Sequence, residues 1–251
     1  MLAYGFRAHA LHQLGRYREE LRLSQDLERR FPTTEWYRGF EARALAALGE
    51  VDSVRHRLAE WEATPEPTPR GQSAGTRSFG AGLELIAHGH EREGREVLAA
   101  TLPLYRRLRL AEGYNPNEVL VLMWTDQAEE ARRLAEAALP TMKSLNDSLN
   151  YLGPLGSIAA RQGKHADAAR YERLLANASR RPALRSEAAF QQATIASWLG
   201  DREGAVRLLE DARAHARHGG SSATPWNVHR WPDFAGLRGY PPYERFLRPR
   251  E

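Results

Sequence analysis

Cysteine is absent from the 251 residues, so disulfides and thiolate metal sites are excluded and the redox state of the compartment stays open. No run of about eighteen apolar residues occurs, which excludes a spanning helix. The first residues, Met1-Leu-Ala-Tyr-Gly-Phe-Arg-Ala-His9, lack the charged-then-apolar layout of a secretory signal. Catalytic signatures are missing too. There is no Gly-x-x-x-x-Gly-Lys-Ser/Thr loop and no His-Arg-Asp or Asp-Phe-Gly sequence, and Gly153-Pro-Leu-Gly156-Ser157 follows no strand that would make it a nucleophile elbow. The expectation is a protein that is not an enzyme and needs no cofactor.

Lysine is almost absent: Lys143 and Lys164 apart, all of the 36 basic residues are arginine. Net charge is +4 and the isoelectric point about 9.6, yet the arginines alternate with acids, as in Arg18-Glu19-Glu20 and Glu129-Glu130-Ala131-Arg132-Arg133. Mixed-sign faces of this kind read as solvated helix surface, so nucleic acid is not the expected partner. Apolar residues at 42% and charged residues at 27% exclude wholesale disorder.

What is present is a recurring corner. Leu14-Gly15-Arg16-Tyr17 returns as Leu48-Gly49-Glu50-Val51, His88-Gly89-His90-Glu91, Gln162-Gly163-Lys164-His165 and Leu199-Gly200-Asp201-Arg202, with Thr125-Asp126-Gln127-Ala128 as a degenerate copy. The corners stand 34, 40, 37, 37 and 37 residues apart, a period that means stacked supersecondary units. Four residues before them lie Leu11, Leu45, Leu85, Leu122, Ala159 and Ala196; seven before lie Ala8, Ala42, Gly82, Val119, Gly156 and Ala193. Those spacings put both sets on one face of a helix ending at the corner. Five residues after come Glu20, Val54, Gly94, Ala131, Ala168 and Ala205; twelve after come Leu27, Trp61, Thr101, Ala138, Leu175 and Ala212. They mark the inner stripe of a second, antiparallel helix, with Glu20 and Thr101 as the exceptions that should pack less well.

The first unit (Tyr4, Ala8, Leu11, Gly15-Arg-Tyr17, Leu27, Pro32) resembles the tetratricopeptide repeat, and the fifth (Leu152 to Leu175) and sixth (Ala193 to Ala212) resemble it more strongly. The tail, 225–249, resembles the end of the repeat regions attached to bacterial serine/threonine kinases, TolB-like proteins and adenylate-cyclase-type regulators. These resemblances imply an all-α fold: a right-handed α-solenoid of about six helical hairpins over 1–214, closed by a capping segment over 215–251. Trp231, Phe234, Leu237, Tyr240, Tyr243 and Phe246 would cover the last hairpin, with Pro242 in the first turn of a short helix reaching about Leu247. Residues 62–77, with Pro65, Pro67 and Pro69, read as a loop, and 111–117 as a break that starts the next helix near Asn117. The chain opens almost inside its first helix, so the expectation is that Met1 marks a truncated start behind a partner domain. Localisation stays open: cytoplasmic by default, extracytoplasmic for a piece of a membrane-anchored kinase.

By the same resemblance the first helix of each unit lines a concave surface. Its inward residues are His9, His12 and Gln13; Arg43 and Ala46; Leu83 and Ile86; Leu120, Met123 and Trp124; Ser157 and Arg161; and Thr194, Ser197 and Trp198. The implied role is binding of a protein or peptide segment. Arg43 and Arg161 are the candidates to pair with carboxylates and Trp124 and Trp198 the candidate anchors, although aromatics at this spacing also serve as packing. The Lys/Asn set that grips a peptide C-terminus in chaperone-binding members is absent. His9 and His12 read as exposed. The histidine groups His88/His90 and His215/His218, with His229 nearby, lack a supporting carboxylate pattern and sit near helix ends, where the dipole alone favours them, so no metal site is expected. The alternative role is a structural spacer, since open ends of a stack favour head-to-tail self-association.

Overall fold

The computed structural model describes residues 2–32, 36–62, 74–216 and 225–248, and among them it is helical throughout with no strand. The chain divides into two compact units, Met1–Arg107 and Leu108–Glu251. The first contains α1 (Leu2–Gln13), α2 (Tyr17–Arg30), α3 (Trp36–Ala47), α4 (Val51–Glu62), α5 (Ala74–Ala87) and α6 (Glu91–Ala99). The chain passes into the second within α7 (Leu102–Glu112). There follow α8 (Pro116–Trp124), α9 (Ala128–Ala138), α10 (Leu145–Arg161), α11 (His165–Ser179), α12 (Arg185–Trp198), α13 (Arg202–Ala214), α14 (Pro225–Val228), a 3-10 turn over Pro232–Leu237 and α15 (Pro241–Leu247). No described helix is long and apolar enough to cross a membrane.

A helix ends at each of the six corners in the left-handed backbone region, with φ from 61° at Asp126 to 89° at Gly89. Asp126 is the sole non-glycine residue there among those described. The residue after each corner donates its N–H five residues back: Arg16 to Leu11, Glu50 to Leu45, His90 to Leu85, Gln127 to Leu122, Lys164 to Ala159 and Asp201 to Ala196, at 2.9–3.0 Å. This is the six-to-one bond of a Schellman ending, which satisfies a carbonyl the helix leaves over. The acceptor is the buried residue four before the corner, so the joint and the core meet at the same residue. Side chains close helix starts elsewhere: Asn115 accepts from the Asn117 N–H, Ser144 from Asp147 and Asp201 from Gly204.

All four marked positions are buried in all six copies, Glu20 and Thr101 included. Each corner's two helices pack on one another, and in the second unit α10 also packs on α8, α9 and α12. Small residues set the approach. A Cβ added at Gly94 would stand 2.6 Å from the Gly82 carbonyl oxygen and 2.7 Å from Ile86 Cγ1, so α5 and α6 cross with their backbones nearly touching.

Two expectations need correction. The loop read over 62–77 is shorter: α4 runs to Glu62 and α5 begins at Ala74, while 63–73, with its three prolines, lies outside the described residues, as does Met1. The second helix of the third unit does not continue through Thr101 but ends at Ala99. Pro103 has no N–H for the Ala99 carbonyl and its ring would collide with it, so Thr101 turns its hydroxyl onto the Leu98 carbonyl (2.6 Å) and α7 starts afresh.

The tail packs on α12 and α13. Val228, Phe234, Leu237, Tyr243 and Phe246, all at most 2% exposed, join Phe190, Ala193, Val206, Leu209 and Ala212 in one core. Pro241 and Pro242 occupy the first turn of α15. There their missing N–H groups cost nothing.

Candidate functional site

The candidate residues fall into two groups, one in each unit. In the first unit a polar network lies inside the protein. His12 is 2% exposed, which corrects its expected place on an exposed face, and Glu20 and Glu84 are fully buried. The His12 Nδ1 stands 2.7 Å from Glu20 Oε2 and its Nε2 3.2 Å from Glu84 Oε1. Arg43, itself buried, donates from Nε to the other Glu20 oxygen at 2.6 Å, and its Nη1 lies 2.9 Å from His9 Nδ1. The guanidinium stacks 4.8 Å from the Phe40 ring centre, and Phe40 meets His9 edge-on. Tyr17 packs against His12 and His88.

Burial opposes a charge on His12, but the hydrogen bonds to Glu20 and Glu84, with the Glu84 charge, outweigh it and hold the imidazole pKa above its ordinary value. Burial, with the same two carboxylates, pushes the Tyr17 phenol up. Glu20 thus stands at a small-residue position because it is the centre of an ion cluster; breaking such a cluster from one side typically costs about 3–5 kcal/mol. Gln13 stays exposed on the surface of α1.

In the second unit the first helices bring Trp124, Arg161 and Trp198 together, and the chain's own tail is seated on them. Asp233, 3% exposed, accepts from the Trp124 indole at Oδ2 (3.0 Å) and from the Trp198 indole at Oδ1 (2.6 Å). The Ser197 hydroxyl donates to the Asp233 carbonyl at 2.7 Å. Arg161 lies 4.8 Å over the Trp198 ring, donates to the Met123 carbonyl at 2.8 Å and faces Asp126 at 3.7 Å. Trp231 meets Trp124 and Phe190 edge-on, with ring centres 5.0 and 5.5 Å away, and Phe234 meets Phe190 at 5.7 Å. Burial raises the Asp233 carboxyl pKa; the two indole bonds and Arg161 pull against that rise without cancelling it.

Thr194 does not join this group. It is buried between α10 and α12, accepting from Ser157 (3.1 Å) and donating to the Gln191 carbonyl (2.8 Å). Leu120 is half-buried on α8. Of the histidines weighed as metal ligands, His88 stands 3.7 Å from Glu84 and His215 3.3 Å from Asp211, while His218 lies outside the described residues.

Three residues that organise these groups were not among the sequence candidates. Glu20 carried a signal, a charge where other copies have small or apolar residues. Glu84 carried a weaker one, an acid between Leu83 and Leu85 in an apolar run. Asp233 carried none, because its partners are 35 and 109 residues away in sequence. Comparison with protein-family models, curated proteins and solved structures finds no match for this chain.

Proposed function

We propose that the protein is a non-catalytic interaction scaffold of the tetratricopeptide type, a right-handed α-solenoid that binds a protein or peptide segment and serves as the sensing or docking region of a bacterial signalling protein. The observation that carries this reading is the sixfold recurrence of one joint. A left-handed corner, a bond to the residue four before it and four buried positions repeat six times. Units of that kind bury their apolar faces on neighbours and present a continuous surface to a ligand. Exposed Gln13 and half-buried His9, Leu120, Arg161, Ser197 and Trp198 are the inward residues open to a ligand.

The test is a peptide-display selection against the full chain, with affinities measured by fluorescence polarisation. Selected peptides should bind at about 100 μM or tighter and lose about tenfold or more when Gln13, Leu120 or Arg161 is replaced by alanine, circular dichroism being unchanged. A selection that yields only peptides indifferent to all three replacements would refute the assignment.

A further inference from the structure

The surface presented by Trp124 and Trp198 is built to read a carboxylate. Two indole N–H groups, which donate and never accept, converge on the two oxygens of Asp233, and the Ser197 hydroxyl holds the main chain of the same residue. On either side of that acid stand aromatic rings: Trp231, two residues before, against Trp124 and Phe190, and Phe234, the next residue, against Phe190. The occupant therefore displays the chemistry the surface accepts: an acidic residue bracketed by aromatics, with Pro232 fixing the backbone between them. It belongs to the same chain, joined to α13 through residues 215–224.

We propose that Trp231–Phe234 is a resident ligand of this surface, and that the partner of the second unit is a peptide segment of the same aromatic–Pro–acid–aromatic chemistry that exchanges with it. The inference rests on the reading of the chain as a peptide binder and adds its regulation. Tethering holds the resident copy at an effective concentration in the millimolar range. A free segment with an intrinsic Kd of about 1 μM is then held off by roughly a thousandfold while the tail is in place. Whatever loosens the tail opens the surface.

The experiment places a site-specific protease sequence within residues 217–224 of the full chain and cuts it after folding, so that the tail stays on its surface but is no longer tethered. A fluorescein-labelled peptide of residues 225–248 is then titrated into cut and uncut protein, with polarisation as the readout and circular dichroism as the check on folding. The cut protein should take up the labelled peptide at least about tenfold more tightly than the uncut protein, and the same peptide carrying Asp233→Ala should bind at least about tenfold more weakly than the parent. A cut protein that keeps its own segment against excess peptide, or loses helical signal on cutting, makes the tail a permanent wall of the unit and overturns the proposal. Indifference to Asp233→Ala does the same. The two readings fail separately: peptides selected on the uncut chain that depend on Gln13 or Leu120 uphold the scaffold even where exchange is absent.

Discussion

Replacing Asp233 by asparagine changes one oxygen to an amide nitrogen and almost nothing in shape. In the native arrangement each carboxylate oxygen serves one indole donor, Trp124 on Oδ2 and Trp198 on Oδ1. Asparagine keeps one acceptor oxygen and turns an NH2 toward the other indole, so one buried N–H loses its partner and faces another donor. An unsatisfied buried donor costs about 1–3 kcal/mol. Against this, the substitution removes a buried charge whose cost is visible in the raised pKa of the carboxyl. The net expectation for Asp233→Asn near neutral pH is a loss of about 1–2 kcal/mol, or roughly 2–8 °C in Tm. The measurement is thermal unfolding by circular dichroism, with a double-mutant cycle against Trp124→Phe. Phenylalanine removes one donor, after which asparagine satisfies the other, so the double variant should recover about 0.5–1 kcal/mol relative to the sum of the singles. The pH dependence has a definite sign. The folded pKa lies above the ordinary 3.8, so this group's contribution is fullest below 3.8 and is lost as pH rises through the folded pKa. The deficit of Asp233→Asn relative to wild type therefore widens on acidification. An Asp233→Asn protein at least as stable as wild type at pH 7, with no coupling to Trp124, would refute the account of the carboxylate as a two-indole acceptor.

Asp126→Gly should stabilise the protein by about 0.5–1 kcal/mol, since it relieves the sole left-handed non-glycine corner among the described residues and the pair it gives up between exposed Asp126 and Arg161 is a loose one; chemical denaturation reads it directly. Gly94→Ala should cost about 1–3 kcal/mol by overpacking the crossing with Gly82, and an unchanged midpoint would show that α5 and α6 can separate cheaply. His12, whose folded pKa is raised above 6.5 by Glu20 and Glu84 despite burial, stabilises fully below 6.5 and loses that contribution as pH rises through the folded value. Unfolding free energy should therefore decline on the alkaline side of 6.5 in wild type and flatten in His12→Gln.

The all-helical fold was legible because its signals are local. A left-handed corner favours glycine, a close crossing favours small side chains, and both recur at spacings visible along one chain. The break at Thr101 was also written locally, in Pro103, but the repeat register pointed past it. The candidate groups were legible only in part. Helical spacing locates Trp124, Arg161 and Trp198 on first helices without saying what faces them, and Asp233 comes from a segment whose sequence speaks only of capping. The burial of His12 is hidden in the sequence for a related reason: it depends on α5, whose Glu84 lies 3.2 Å from the ring.

Each joint is closed by a bond between the residue after the corner and the one four before it, so its closing hydrogen bond lies within six consecutive residues. The distance from one joint to the next is free to drift. Spacings of 34, 37 and 40 residues coexist with six equivalent endings, and in the two middle intervals the second helices run out at the Ala99–Leu102 interruption and the 3-10 turn Leu139–Thr141. Evolution could therefore lengthen or shorten this protein between its hinges without retooling any of them, and residues inserted near Gly113 or Lys143 should pass almost unnoticed by the rest of the chain.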